Sequence, residues 1–499
     1  MTLTHTKFSE FLKDFENTLK NLFHEKNDIN QLSQDRGLPP SIMNAILAER
    51  PLSVAIPEEF GGRGSIVKEC LGILAAASYE SLPLSLTFGI NIALFLEPVS
   101  KYADESVKKG IFDRFLENQH MGGLMITEPD YGSDALNMKT MNQETENGYK
   151  IKGTKHWQGL TGLADFWIVA SRKALENGEL GRDIDFFITD NSKPEQKIVV
   201  EELYDNAGLY MIPYGLNQLD LEVPAKHKLT PETTGIKMML DILHRSRMQF
   251  PGMGMGFIKR MMDEAINHCK NRIVSGSSLL AIDQVQFQIS RIQSAFTICS
   301  AMCAKSSEIS GIGHNLATEG LEANTMKAVV TDLMQESANS LVQLSGANGY
   351  RTTHIGGRGI MDSRPFQIFE GSNEMLYAQV AEMVTRMMKK QKQLHLFDFL
   401  KEFRPTAAAC HHFKNEFSFT LNSVLSQRKL VDLGRVISRV ICVGYVMELG
   451  AKGFRNDLVQ NCIDNVRQEV AALMCSFKFE NATQVVESYE DQSSWLKFV

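Results

Sequence analysis

Residues 125–134 read MITEPDYGSD, and they stand where the pattern of the chain changes. Before them, segments such as CLGILAAASYE (70–80) repeat apolar residues every three or four positions, which predicts helices. After them, short β-branched and aromatic runs such as GYKIKGTKHW (148–157) are separated by turn residues, which predicts a small antiparallel barrel or sandwich. The sequence therefore predicts a helical domain at 1–124 and a β domain at 125–234.

Helical periodicity returns beyond the β-like part of the chain. DQVQFQISRIQSAFTICSAMCAKSSEI (283–309) is one of several long helical segments with short links, which together predict a helix bundle at 235–390. The helical pattern continues through 391–499. There, LVDLGRVISRVICVGYVMEL (430–449) has an apolar face that charged residues interrupt, which favours a packing helix over association with a membrane, and an oligomer interface stays an alternative. The predicted fold is mainly α with a central β domain, a C-terminal bundle and a helical extension.

Composition excludes several classes of protein. The chain has 499 residues, of which 43% are hydrophobic and 22% charged, as in an ordinary globular protein. A net charge of −7 argues against nucleic-acid binding. The N-terminus lacks the apolar core of a secretory signal, and no stretch approaches 18 uncharged apolar residues, so we expect a cytoplasmic protein without a membrane span. Eight cysteines suggest reduced thiols, and Cys299 and Cys303 are predicted to be a packed pair, with no metal site.

Two motifs in the β-like part carry groups that are able to bind a planar ligand. MITEPDYGSD offers the hydroxyls of Thr127 and Ser133 beside a permissive turn, although a capped turn would have the same composition. KHWQGLTGLADFW (155–167) places Trp157 at the end of a predicted strand. Its flat face is able to lie against a ring system, but a tryptophan on a strand is more often a core residue.

Two motifs in the bundle are also distinctive. QLSGANGY (343–350) places glycines where backbone N–H groups can approach a phosphate, although a helix C-cap would use glycine in the same way. It is not GxGxxG, and no βαβ pattern surrounds it, so a Rossmann nicotinamide site is rejected. FQIFEGSNEM (366–375) places Glu370 among apolar residues. Lost hydration should raise the pKa of this carboxyl and turn it into a possible base, unless Glu370 simply begins a loop.

These motifs, in this order and at these separations, resemble the acyl-CoA dehydrogenase family of flavoproteins. VAIPEEFGGRG (54–64) adds to the resemblance, which covers roughly residues 50–390. The resemblance implies an N-terminal helical domain, a central β domain and a C-terminal four-helix bundle, with FAD held between them. It also implies a homodimer or homotetramer.

The resemblance assigns roles to individual residues. Thr127 and Ser133 would contact the flavin or its ribityl chain, and Trp157 would lie beside the isoalloxazine ring. The pyrophosphate and adenosine would be held, partly from a neighbouring subunit, by Arg272, Gln343 and the turn from Gly346 to Gly349. The remaining implied contacts are Ser372 with the cofactor, Arg247 near the thioester-carrier site, and Gly371 with the substrate through close backbone approach.

Glu370 would then be the catalytic base. It would take a proton from the α carbon of an acyl thioester, while the β hydrogen leaves as hydride to the flavin and an electron-transfer flavoprotein or similar acceptor takes the electrons. The thioester carrier would be CoA or an acyl carrier protein. Two alternatives remain open, namely an oxidase that returns electrons to oxygen and a homologue that binds flavin or thioester without turnover. Nitroalkane-oxidising and monooxygenase branches usually lack this glutamate.

The sequence departs from the family at several positions. A threonine that would bond the flavin is replaced by Gly159, and Thr161 compensates only if the loop shifts. An expected acidic residue is His244, which puts CoA recognition in doubt. Ser275 replaces an aromatic residue, Met361 replaces an arginine, and about 110 residues follow the usual end of the family.

Overall fold

The computed structural model describes residues 6–421, 424–480 and 483–499. Helices make up most of the protein, and a seven-stranded sheet stands between two helical parts of the chain. This arrangement confirms the predicted mainly α fold with a central β part, a C-terminal bundle and a helical extension.

Within the described residues, seven α-helices precede the sheet. Their bounds are α1 (Phe8–Lys20), α2 (Ile29–Leu32), α3 (Pro40–Ala48), α4 (Val67–Glu80), α5 (Leu82–Asn91), α6 (Glu97–Tyr102) and α7 (Glu105–Glu117). In α1 the buried residues Phe11, Phe15 and Leu19 recur every fourth position, so they share one face of the helix. That face packs on α4, as the periodicity of the sequence predicts.

A π-helical turn, Ile92–Leu96, joins α5 to α6 and makes one continuous helix. Among the described residues this helix, Leu82–Tyr102, is long and apolar enough to cross a membrane, with a mean hydropathy of 1.5. However, 94% of its most apolar stretch is buried inside the protein, as in a core helix.

The sheet is built from seven strands. Their bounds are β1 (Gly122–Met125), β2 (Met141–Thr145), β3 (Gly148–His156), β4 (Phe166–Lys173), β5 (Asp185–Asp190), β6 (Val199–Leu203) and β7 (Gly215–Pro224). They follow the order β1-β4-β2-β3-β7-β6, and β5 pairs with β4. The longest pairing is antiparallel and joins β3 to β7 from Gly148↔Pro224 to His156↔Leu216. Side chains of β7 alternate between buried and exposed positions, so one face of this strand lies on the core.

The sheet is mixed, whereas the sequence predicts an antiparallel one. Strand β4 runs parallel to β1 and to β2 and antiparallel only to β5. The hairpin of β2 and β3 lies between β1 and β4 in the chain, and a connection of that length allows a parallel return. Short strand-like runs do not determine whether two strands pair in parallel or antiparallel, because the pairing depends on the path of the connections between them.

The part of the bundle that follows the sheet has six α-helices in the described chain. Their bounds are α8 (Gly235–Arg247), α9 (Phe250–Asn271), α10 (Asp283–Ile309), α11 (Gly320–Ser345), α12 (Ile355–Ser363) and α13 (Asn373–Lys390). A small hairpin, β8 (Ile273–Val274) and β9 (Ser277–Ser278), joins α9 to α10. Helix α9 also packs on α4, where a Cβ at Gly256 would lie 1.9 Å from the Ala75 carbonyl oxygen. Glycine therefore lets these two helices touch through their backbones.

The helical extension packs on the bundle. Its described α-helices are α14 (Leu396–Leu400), α15 (Lys414–Phe417), α16 (Gln427–Ala451) and α17 (Asn456–Lys478). Helix α16 lies on α10 and α13, and α17 lies on α10 and α16. A Cβ at Gly434 would lie 1.9 Å from the Tyr377 carbonyl oxygen, so α16 and α13 also meet at their backbones. The prediction of a packing helix at 430–449 is confirmed.

The changes of secondary structure fall near the predicted domain boundaries. The first strand begins at Gly122, α8 begins at Gly235 and α14 begins at Leu396. The domain boundaries after residues 124, 234 and 390 themselves stay predictions.

Candidate active site

Glu370 lies in a tight turn between a 3-10 helix and the start of α13. Its φ is +53° and that of Gly371 is +91°, so both residues adopt left-handed conformations. A Cβ at Gly371 would lie 2.9 Å from the terminal methyl of Met375 and 3.0 Å from a methyl of Leu376, which leaves room only for glycine. Ser372 ends the turn as the N-cap of α13 and accepts a hydrogen bond from the Met375 N–H. The turn therefore holds the glutamate directly before a helix.

The carboxylate of Glu370 has one bonded oxygen and one free oxygen. The Ser246 hydroxyl donates to Oε1 at 2.9 Å. Atom Oε2 is buried and has no hydrogen-bond partner among the described residues. Burial raises the pKa of this carboxyl above its ordinary value, although Arg247, Ser246 and Lys327 each oppose the shift. Glu370 is thus a carboxylate with a raised pKa and an unpartnered oxygen, which is the state that a general base requires.

A cluster of three phenylalanine rings includes Phe369, the residue directly before Glu370. The ring centroids of Phe366 and Phe369 are 5.0 Å apart, and Phe250 lies 5.8 Å from the first and 6.2 Å from the second. Phe250 and Phe366 are fully buried. As the sequence predicts, apolar rings stand directly before the glutamate in the chain.

Arg247 holds the backbone of the turn. Its Nε and Nη2 atoms donate to the Glu370 carbonyl oxygen at 3.1 and 2.8 Å, and its Nη1 donates to Asn324 Oδ1 at 2.7 Å. The side chain is buried. The structure thus gives Arg247 a task in shaping the turn, and its predicted contact with a thioester carrier stays a prediction.

The aromatic residue of the β part is exposed. Trp157 follows β3, has a φ of +58° and is 52% exposed. Its ring centroid lies 4.6 Å from that of Tyr204 and 6.1 Å from that of Tyr214. Trp157 is therefore not a core residue, and it offers a flat face at the surface of the isolated chain.

A buried ion pair ties the Thr127 loop to the strand that ends at Trp157. Lys155 Nζ lies 2.9 Å from Glu128 Oε1, and neither side chain is more than 4% exposed. The same ammonium donates to the Ile126 carbonyl, and the His156 N–H donates to the Thr127 carbonyl at 3.0 Å. These contacts place Thr127 beside the base of Trp157. Ser133 lies farther along the same loop and is exposed.

Gly159 is enclosed by apolar side chains. A Cβ there would lie 2.8 Å from Ile90 Cδ1 and 3.4 Å from both Ile212 Cγ2 and Tyr214 Cε1, so no threonine fits without a shift. The Thr161 hydroxyl donates to the Gln158 carbonyl and accepts from the Asn217 amide. Because Thr161 is buried in these bonds, it does not compensate for Gly159.

Tyr214 lies between the Trp157 region of the β part and the Glu370 turn of the bundle. Its ring contacts the Gly159 position and lies near Trp157. Burial raises the pKa of its phenol, and the Glu370 charge raises it further. The charge of Glu370 therefore acts on Tyr214, although Tyr214 directly precedes strand β7 and Glu370 lies in the turn before α13.

A second contact fastens the β part to the bundle. The Leu209 N–H donates to the Asp362 carboxylate at 2.7 Å, and Gly208 packs against the Met361 carbonyl. Burial raises the pKa of Asp362 to about 6. Met361 uses only its backbone here and leaves its side chain exposed, so the replacement of an arginine at this position does not disturb the contact.

The predicted pyrophosphate and adenosine residues lie at the other end of α11. Arg272 and Ser345 line a cavity of about 360 Å³, beside Gly346, whose φ is +60°. Gln343 is exposed, and Gly349 packs closely on α11. At 1.5 Å per residue, Ser345 is about 27 Å along α11 from Lys327, so this set is far from Glu370 of the same chain. Whether a neighbouring subunit joins the two regions stays a prediction.

Two further positions, His244 and Ser275, depart from the family pattern, and the structure explains only the first. His244 is buried, and burial lowers its pKa to about 4, so it is neutral when it donates to the Leu316 carbonyl at 2.7 Å. It ties α8 to the loop before α11 and offers no charge to a carrier. Ser275 lies in the exposed turn of the β8–β9 hairpin with a φ of +51°, and nothing in the structure explains its identity.

Ser246, Tyr214 and Lys327 lie at the site but were not predicted from the sequence. Lys327 carried a signal, because a lone lysine in the apolar run of a buried helix needs a polar partner. Ser246 and Tyr214 carried no such signal, since nothing in their local sequence distinguishes them from ordinary helix and loop residues. In the described chain, no group of three or more His, Cys, Asp or Glu side chains is placed to hold a metal ion.

The residues present fit a flavin. An exposed tryptophan face, a threonine loop pinned beside it and a buried carboxylate with a free oxygen meet where the β part joins the bundle. A polar cavity at Arg272 is suited to the phosphate and adenosine end of such a cofactor.

Comparison with known proteins supports this assignment. Residues 123–221 match the acyl-CoA dehydrogenase middle domain, and residues 233–385 match the acyl-CoA dehydrogenase C-terminal domain. An acyl-CoA dehydrogenase of Bacillus subtilis (strain 168) is 24% identical over 329 residues, which are 65% of this chain and 84% of that protein. A short-chain specific acyl-CoA dehydrogenase of Megasphaera elsdenii is 24% identical over 64% of this chain and 82% of its own length.

Solved structures share the fold at lower identity. Butyryl-CoA dehydrogenase from Megasphaera elsdenii has a TM-score of 0.66 and 20% identity, and the match covers 76% of this chain and all of that one. An acyl-CoA dehydrogenase from Bacillus anthracis, solved with FAD, has a TM-score of 0.76 and 18% identity over 97% of this chain and 90% of its own. The prolyl acyl carrier protein oxidase AnaB has a TM-score of 0.65 and 17% identity over 76% of this chain and 99% of its own. The second match extends over the helical extension.

Proposed function

The chain belongs to the acyl-CoA dehydrogenase family, and we propose that it is an FAD-dependent enzyme that forms a double bond between the α and β carbons of an acyl thioester. The observation that carries this proposal is the buried, unpartnered Oε2 of Glu370. A proton on the α carbon of a thioester is a weak acid, so its removal needs a carboxylate whose pKa is raised. Burial raises the pKa of Glu370 in this way.

The turn also supplies a donor for the charge that develops on the thioester. In the described chain the Glu370 N–H donates to no protein acceptor, so it is free to bond the thioester oxygen as the α proton leaves. Arg247 fixes the Glu370 carbonyl on the opposite side of the same turn. The carboxylate base and the N–H donor therefore belong to the same residue of one fixed turn, which keeps the distance between them nearly constant.

When bound, FAD supplies the acceptor for the hydride that leaves the β carbon. The protein's part is to hold the cofactor and to keep the α carbon within reach of Oε2. The residues proposed to hold FAD are Thr127, Ser133, Trp157, Arg272, Gln343, Gly346, Gly349 and Ser372. We propose Gly371 and Arg247 for the substrate side of the site.

Anaerobic absorbance titration with a series of acyl-CoA thioesters tests the proposal. We expect bleaching of the flavin band in the wild type and none in Glu370→Gln, which keeps the volume of the side chain but cannot accept the proton. The variant should still bind the thioester, which a perturbation of the flavin spectrum would report. Full bleaching by Glu370→Gln would exclude Glu370 as the base.

An acyl-thioester oxidase is a second candidate. The enclosed Gly159 motivates it, because the position offers no hydroxyl to the cofactor site. The prolyl acyl carrier protein oxidase AnaB shares this fold. An acyl carrier protein therefore stays an alternative to CoA as the thioester carrier. Comparing reoxidation of the reduced flavin by air and by an electron-transfer flavoprotein separates the two candidates. A homologue without turnover would bind thioesters and leave the flavin oxidised.

The partners and assembly are also proposals. We propose an electron-transfer flavoprotein or a similar acceptor as the electron partner, a homodimer or homotetramer as the assembly, and the cytoplasm as the location. Light scattering of the purified protein measures the assembly directly, and a monomer at micromolar concentration would contradict it.

A further inference from the structure

A buried ammonium group lies beneath the turn that carries Glu370. Lys327 lies in the N-terminal third of α11 and is fully buried. Its Nζ atom donates to the Gly371 carbonyl oxygen at 2.7 Å and to Asn373 Oδ1 at 3.0 Å. The two acceptors belong to the residues directly before and after Ser372, so one side chain from α11 binds the segment on both sides of that serine.

Asn373 fastens the same segment to α11 a second time. Its amide nitrogen lies 2.6 Å from Asp332 Oδ1 and 2.9 Å from Thr331 Oγ1. Asp332 in turn accepts a bond from the Tyr377 hydroxyl one turn into α13. The start of α13 is therefore joined to α11 by a chain of buried polar contacts, and Lys327 is the member closest to the turn.

Two cations hold consecutive carbonyl groups of the turn from different helices. Arg247 of α8 binds the carbonyl of Glu370, and Lys327 of α11 binds the carbonyl of Gly371. Together they hold the two peptide planes on either side of Gly371, namely Glu370–Gly371 and Gly371–Ser372. A left-handed φ at a glutamate costs on the order of 1–2 kcal/mol, so the turn needs such contacts to persist. The direction of the Glu370 carboxylate follows from that fixed backbone.

Lys327 has no carboxylate partner at ion-pair distance. Among the described residues, no Asp or Glu oxygen lies within 4.0 Å of its Nζ atom. The charged groups that face it are Glu370 of the turn, Arg247 of α8, Asp332 of its own helix and Glu374 of α13. Burial lowers its pKa to about 7, which Glu370 partly opposes. A buried amine without a carboxylate partner is costly, so its position calls for a role.

We infer that Lys327 is a positioning residue for the proposed dehydrogenation. It holds the Gly371 carbonyl so that the Glu370 carboxylate faces the α carbon, and its charge favours the ionised form of that carboxylate. The inference rests on the proposed function, because it assigns Lys327 to the same reaction.

Lys327→Met tests the inference, with Lys108→Met as the matched control. Lys108 is also a buried lysine, but it lies on α7 and bonds Glu105.

In anaerobic stopped-flow measurements with acyl-CoA, we expect Lys327→Met to reduce the rate of flavin bleaching 10- to 100-fold with little change in half-saturating concentration. The acidic limb of its pH profile should move to higher pH, because loss of the cation raises the pKa of Glu370. Lys327→Arg should keep the wild-type limb, since it keeps the charge. A rate and limb equal to those of Lys108→Met would overturn the inference.

Urea unfolding of the purified protein gives a readout that does not depend on turnover. We expect the effect of Lys327→Met on the urea midpoint to differ between the wild type and Glu370→Gln, since only the wild type retains the attraction between the two charges. Equal effects in both backgrounds would overturn the inference. A wild type that never bleaches with any thioester would instead overturn the proposed function, while this coupling would still be measurable.

Discussion

Ser246 and Glu370 are 124 positions apart in the chain, and the hydroxyl of the first donates to the carboxylate of the second at 2.9 Å. The bond joins the end of α8 to the turn before α13. It favours the ionised form of a carboxylate whose burial favours the neutral form. The balance between these two effects sets the pH at which the base becomes active.

Ser246→Ala should therefore raise the pKa of Glu370. A hydrogen bond to a charged group contributes about 1.5–3 kcal/mol, which corresponds to about one to two pH units. We expect the rate of anaerobic flavin reduction to fall about 10- to 100-fold on the acidic side of the profile and to approach the wild-type rate at high pH. Ser307→Ala is the control, because that hydroxyl bonds only its own helix at the Cys303 carbonyl. An unmoved acidic limb in Ser246→Ala would contradict this role.

Gly159→Thr should destabilise the protein through overpacking. The new Cβ would lie 2.8 Å from Ile90 Cδ1, and forcing extra atoms into a packed site costs about 1–3 kcal/mol. Ile90→Val removes that Cδ1 atom. We expect the double variant to be more stable than the sum of the two single effects predicts, as measured by urea unfolding. Additive effects would mean that the loop moves away and that the two positions are not in contact.

Glu128→Gln should be strongly destabilising, because it leaves the buried Lys155 ammonium without its carboxylate. Breaking a buried pair in this way costs about 3–5 kcal/mol. Burial raises the pKa of Glu128, but Lys155 and the Thr140 N–H outweigh it and leave the pKa below its usual 4.5. The wild type should therefore lose this stability as the pH falls below about 4.5, and the variant should not. Unfolding midpoints at several pH values measure the difference.

An exposed ion pair provides the comparison for that variant. Lys109 and Asp113 pair on the surface of α7, where the two side chains are 73% and 37% exposed. Asp113→Asn should cost less than about 1 kcal/mol, since exposed pairs contribute little. Equal costs for the two variants would mean that water reaches Lys155.

Gly434→Ala should push α16 away from α13. The added methyl would lie 1.9 Å from the Tyr377 carbonyl oxygen, and because that atom is backbone, a helix must move. Gly444→Ala on the same helix meets nothing closer than 3.5 Å, and alanine is favoured over glycine in a helix by about 1 kcal/mol. We expect opposite changes in the thermal midpoint, with a loss for Gly434→Ala and a small gain for Gly444→Ala. A gain for both would show that α16 is not seated on α13.

The order of helical and strand-like parts was predictable because periodicity is a local property. Thr127, Trp157 and Glu370 could be singled out as candidate site residues, since each stands in a short motif at a change of pattern, and their roles stay predictions. The residues that hold Glu370 and its turn could not be identified from the sequence. Ser246 and Lys327 reach it from two helices whose sequences read as ordinary packing helices, and only the fold brings them to the turn. The parallel pairing of β4 was missed for the same reason, because pairing depends on the connections.

The seating of α16 and α17 on α10 and α13 has a consequence for synthesis in the cell. A ribosome makes a chain from its N-terminus at about 5–20 residues per second, so α10 and α13 emerge before the helices that cover them. During that delay their apolar faces are open to chaperones and to other nascent chains. A stop codon placed before Gln427 should therefore give an insoluble product, even though every residue of the proposed active site would already have been made.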